Sequence, residues 1–104
     1  MKGNLKMKKH IFMVGLCDKD TKKQELSKDY FLSTIYETVG DCTISDSYGY
    51  YTHADGTMVK EPSLRVEMLF KNDKDIPIFA DRLKKELNQE SIGYDAVESN
   101  SVLL

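Results

Sequence analysis

An α+β fold is predicted, of the ferredoxin-like β-α-β-β-α-β kind: a four-stranded antiparallel sheet with two helices on one face. Three observations predict it. Apolar stripes at helical spacing, in residues 31–39 and 76–87, alternate with four strand-like runs in that order. The two middle runs meet at Asp55-Gly56, a dipeptide that suits a tight hairpin because a type I′ turn needs positive φ at both central residues. At 104 residues, the chain has length for one domain with one modest core.

The first run, HIFMVGLC from His10 to Cys17, is nearly continuous in apolar residues and short. It suits a central strand buried on both faces, with Gly15 marking a close backbone approach or a bulge. Asp18 to Glu25, DKDTKKQE, has no apolar residue and reads as an exposed loop. Helix follows from Leu26 to Val39. Ser27 is placed to cap it, Phe31, Ile35 and Val39 form its stripe, and Gly40 sits where a C-terminal glycine belongs.

The hairpin spans Cys42 to Phe70. A two-residue Asp55-Gly56 turn would set Ile44 against Glu67, an apolar and a charged residue on one face. One extra residue near Pro62 repairs the pattern, setting Ile44 against Met68, and proline cannot donate to a ladder. A bulge at Pro62 is therefore expected. Asp75 and Pro77 open the second helix, whose stripe is Ile76, Phe79, Ala80, Leu83 and Leu87. Ser91 to Glu98 alternates and forms the last strand. The apolar Val102, Leu103 and Leu104 are expected to dock on the body or on a second subunit.

Charge is unevenly placed. Net charge is −2, but residues 1–28 carry +5 and residues 29–104 carry −7. The reading is a mobile basic segment over residues 1–9 and a single domain over 10–104. A balance this acidic does not suggest a nucleic-acid binder, and LRVEMLF lacks the aromatic, basic strand of an RNA-binding sheet. No run approaches the ~18 apolar residues of a membrane span, and no secretory pattern is visible, so a cytoplasmic protein with free thiols is expected.

No catalytic motif stands out. His10 and His53 lack triad or metal-ligand spacing, and the six glycines form no phosphate loop. Cys17 is a possible nucleophile or a buried thiol, and Asp18-x-Asp20 lacks the rest of a calcium loop. These readings imply no catalytic residue, no metal ligands, no cofactor and no enzymatic activity. The candidates that remain are binding groups. Arg65 needs a partner, either Asp46 or a ligand phosphate. Lys22 either contacts an anion or is solvated surface. Asn88 and Gln89 either end the second helix or read a ligand's polar edge. Tyr50 and Tyr94 are amphipathic contacts for a base or a partner. The uncovered sheet face, carrying some of Arg65, Glu67, Leu69, Tyr51 and Tyr94, suits a homodimer or ligand platform.

The stretches GLCDKDTKKQE (Gly15–Glu25), GYYTHADGTMVKE (Gly49–Glu61), LRVEMLF (Leu64–Phe70) and LNQES (Leu87–Ser91) resemble a group of small bacteriophage proteins. The resemblance extends to phage anti-Thoeris sponge proteins. It implies a non-catalytic anti-defence protein of the host cytoplasm. Such a protein would sequester a cyclic ADP-ribose-type nucleotide signal as a homodimer or higher oligomer. Arg65, Lys22, Asn88, Gln89, Tyr50 and Tyr94 would supply the ligand contacts. The alternative is an inhibitor of a host defence protein, acting through the open sheet face.

Overall fold

The computed structural model describes residues 7–52 and 55–104. Its elements are β1 (Met7–Gly15), α1 (Lys28–Val39), β2 (Thr43–Thr52), β3 (Met58–Met68), α2 (Ile76–Glu86) and β4 (Gly93–Ser99). The strands form one sheet in the order β2-β3-β1-β4, with every neighbouring pair antiparallel. This is the ferredoxin-like arrangement that the element order predicts. β1 starts three residues earlier than expected, because Met7, Lys8 and Lys9 continue the ladder with β4.

Strand alternation sorts the residues into two faces. Phe12 and Val14 of β1 face the helices together with Leu64, Val66 and Met68 of β3. Against them α1 sets Phe31, Ile35 and Val39, and α2 sets Ile76 and Leu83, with Leu87 following. These residues form the core, and the expected stripes of both helices supply their share. Local chemistry fixes the ends of α1. Ser27 Oγ accepts from Tyr30 N at 3.1 Å, and Gly40, at φ +75°, donates to the Tyr36 carbonyl. Asp75 stands at the N-cap of α2 but makes no side-chain capping bond; Pro77 supplies the fixed φ there.

The expected bulge at Pro62 does not form. β2 and β3 pair without interruption from Thr43↔Glu67 to Thr52↔Met58. The connection is residues 53–57, five residues rather than two, and this moves the register by one. Ile44 then faces Val66, so the apolar pairing is met with no extra residue. His53 and Ala54 lie outside the described residues. Within the loop, Thr57 N donates to the Asp55 carboxylate at 2.9 Å, and Gly56 has φ +89°. Pro62 costs the ladder nothing because its nitrogen points toward β1 where that strand has ended. Only its carbonyl is used, accepting from Leu16 N at 3.0 Å.

The face away from the helices is uncovered among the described residues. It presents Met13 and Gly15 of β1, Ser47 and Gly49 of β2, Ser63, Arg65 and Glu67 of β3, and Gly93 and Val97 of β4. The apolar tail does not dock on the body: Val102, Leu103 and Leu104 are exposed.

Candidate functional site

A cleft of about 760 Å³ opens at one end of this uncovered face. Its volume lies in the range of small-molecule sites, roughly 300–1,000 Å³. The sequence makes it by omission. Gly49, Ser63, Gly15 and Gly93 lie on successive strands on the same face, so at these positions the floor carries almost no side-chain bulk. Met13 packs over Gly93, where a Cβ would stand 3.2 Å from its own.

Glu61 lies across this floor. A Cβ at Gly15 would overlap its carboxylate, and Cys17 N donates to Glu61 Oε1 at 3.0 Å. The absent side chain at Gly15 therefore makes room for the acid, and a backbone amide orients it. Burial pushes the Cys17 thiol up in pKa, and the neighbouring Glu61 carboxylate pushes it further. Cys17 is thus held as a thiol, the weak form for nucleophilic attack.

One wall is the loop after β1. Asp18 Oδ2 accepts from Asp20 N and Thr21 N, while Lys22 N returns to the Asp18 carbonyl. Lys19 and Lys22 line the cleft from this wall, and Lys22 Nζ donates to the Lys19 carbonyl at 2.6 Å. Gln89, Glu90 and Ser91 line the cleft beside this loop. Gln89 is buried, and its amide donates to the carbonyls of Cys17 and Leu87, tying this segment to the end of β1.

Asp18 is held below the usual carboxylate pKa, first by the Asn88 amide and then by the Thr21 and Asp20 amides. A depressed folded pKa means that the loop's ordering is fully present above the ordinary Asp value and is lost as pH falls through the lowered one. The amide resonances of Asp20 and Thr21 are therefore expected to titrate together below the ordinary range of ~3.9 in an acid NMR titration. Titration at or above that value would show that the carboxylate is not bonded to them.

Of the residues singled out in the sequence, the fold brings Lys22 and Gln89 into the cleft. Asn88 stands behind the loop wall, its Nδ2 donating to Asp18 Oδ1 at 2.6 Å and to Asp20 Oδ2 at 3.0 Å. Arg65 shares the open face but turns to Glu67, 3.5 Å away; Asp46 points to the other face and pairs with Lys28 at 2.6 Å. Tyr50 and Tyr94 lie on the helix side of the sheet. Tyr50 is exposed near the Lys60 ammonium, which stands 4.4 Å from the Tyr48 ring centre and 5.8 Å from that of Tyr50. Tyr94 OH bonds the buried His10 Nδ1 at 2.6 Å.

No family model and no curated protein matches the chain. Solved structures do. A phage SAM lyase in complex with S-methyl-5′-thioadenosine matches 92% of this chain and 84% of its own at 21% identity, TM-score 0.66. The fold is shared with a phage SAM lyase. The lyase in its apo state matches 94% of this chain and 85% of its own at 18% identity, TM-score 0.63. CutA from Synechococcus elongatus PCC7942 matches 93% of this chain and 80% of its own at 7% identity, TM-score 0.54. These matches correct the expectation of a protein without enzymatic activity, because structures of an enzyme, the phage SAM lyase, share the fold.

Sequence reasoning missed Glu61, the carboxylate on the cleft floor. Its available signal was Gly15, read as a close approach without the group that approaches it.

Proposed function

We propose that this chain is a phage enzyme that binds S-adenosylmethionine in the cleft and releases S-methyl-5′-thioadenosine. The observation that carries the reading is the fold shared along nine-tenths of the chain with a lyase that holds this thionucleoside. The cleft adds chemical support: it has nucleoside size and an acid on its floor suited to a sulfonium cation. Lys19 and Lys22 suit the carboxylate of the same ligand.

The reaction needs little from the protein. The Cγ–S bond breaks with its electron pair passing to sulfur, which leaves as a neutral thioether. The substrate's own carboxylate forms the new bond to Cγ and closes a lactone. One negative and one positive charge cancel, and no proton is transferred. The protein's task is then to fold the substrate so that carboxylate and Cγ meet, with Glu61 positioning the cation. Consuming a methyl donor in an infected cell's cytoplasm is one route to an anti-defence role. Self-association belongs to this reading, since the open face beside the cleft, with Met13 and Val97 exposed, suits a second copy.

Incubating the protein with S-adenosylmethionine is expected to yield the thioadenosine and the lactone in equal amounts, read by chromatography and mass. Recovery of the substrate intact after heat release would overturn the proposal. A cyclic ADP-ribose-type signal fits the cleft less well, because Asp18, Glu61 and Glu90 would all face its diphosphate. Incubation with that class in parallel separates the two ligands.

A further inference from the structure

Three non-glycine residues have positive φ among the described residues, and two of them are Lys22 at 62°, in the cleft's loop wall, and Asn88 at 48°, bonded to that loop. Such backbone is disfavoured for a residue with a Cβ and persists where surrounding bonds over-determine it. Those bonds converge on Asn88. Its Nδ2 spends both hydrogens on the loop, one on Asp18 and one on Asp20, and its carbonyl accepts from Lys19 N at 3.1 Å. Asp18 N donates to the Lys23 carbonyl at 2.7 Å, closing the loop on itself. One residue at the end of α2 therefore grips both acids of a loop whose other side chains are exposed.

We propose that Asn88 is a positioning residue. It holds the Asp18–Lys23 loop as a fixed wall and so presents the Lys22 ammonium to the carboxylate end of the ligand. The role rests on the S-adenosylmethionine reading for the ligand's identity, but the grip itself does not. Lys22 is fixed at both ends: its backbone returns to Asp18 and its ammonium leans on the Lys19 carbonyl. Release of Asn88 frees the segment that carries both lysines.

Asn88→Gly tests this, because glycine keeps the positive φ at no cost and removes only the amide. Trypsin cleaves after lysine, and Lys19, Lys22 and Lys23 all lie in the loop. Cleavage there is expected to rise about tenfold in the variant, since local opening governs proteolysis of a folded chain. KM for S-adenosylmethionine is expected to rise about tenfold with kcat within twofold, the pattern of a lost binding contact made equally in the ground state and the transition state. Asp20→Ala, at an exposed residue, removes one of the two grips and should shift both readouts the same way by less. Unchanged cleavage in both variants overturns the grip. Faster cleavage with unchanged KM overturns the positioning role. Wild-type protein that releases no thioadenosine overturns the ligand assignment instead, and the trypsin comparison still decides the grip.

Discussion

Glu61→Gln is expected to lower kcat/KM for S-adenosylmethionine about 100-fold, roughly 2.7 kcal/mol, while leaving the fold intact. The size follows from charge. Two unit charges about 4 Å apart gain roughly 1 kcal/mol in bulk water and about 4 at the effective dielectric of a protein surface. Glu61 is half-buried on the floor of an open cleft, so its interaction with a sulfonium lies between these limits. Glutamine is nearly isosteric and its carbonyl still accepts from Cys17 N, which preserves that orienting bond. The neutral thioadenosine gains nothing from a negative charge, so its affinity should change less than about twofold. Steady-state kinetics with the substrate and calorimetry with the product make the comparison. A variant with wild-type kcat/KM would remove Glu61 from the site, and equal losses for cation and neutral ligand would assign it a role in shape alone.

This difference between ligands also gives a reason for product release. The proposed reaction would destroy the positive charge that the carboxylate would hold. A cleft tuned to the cation would then bind its own product less tightly, without any movement of the chain.

The helices and the sheet could be read in the sequence because their signals are local. The stripe Phe31, Ile35, Val39 and the stripe Ile76, Leu83, Leu87 each lie within one element, and both point into the core. The register of the hairpin could not be read, because it depends on how many residues 53–57 leave unpaired. Changing that number by one moves every side chain of β2 to the other face relative to β3. For the same reason, alternation alone did not tell which face would hold Tyr94, which joins His10 and Phe12 on the helix side.

The site divides in the same way. Lys22 and Gln89, which line the cleft, were singled out because each stands in a polar cluster between elements. Glu61 was not found. In sequence it is one acid in a strand between Lys60 and Pro62. It becomes a site residue only through Gly15 and the Cys17 amide, in a strand distant along the chain. Asp18 and Asp20, which in sequence lack the rest of a calcium loop, both accept from Asn88 and shape the loop.

Gly15→Ala is expected to reproduce most of the Glu61→Gln defect without touching the acid. Gly15 does not have a positive φ, so alanine fits its backbone without strain. The obstacle is the new methyl, which would overlap the Glu61 carboxylate, the far end of a flexible side chain. That side chain can swing away, giving up its bond to Cys17 N at a cost of about 1 kcal/mol. Alanine returns up to about 1 kcal/mol by restricting the unfolded chain. Net stability should therefore stay within about 1 kcal/mol of wild type in a urea titration. Activity should fall by about one to two orders of magnitude, because the charge has left the position where the proposed substrate's sulfonium would meet it. The double variant Gly15→Ala, Glu61→Gln should be little worse than Glu61→Gln alone, since both changes remove the same interaction. Additive losses would show that Gly15 shapes the floor for the nucleoside independently of Glu61. An active Gly15→Ala variant would show that the carboxylate works from a second position, with its contact to the Cys17 amide incidental.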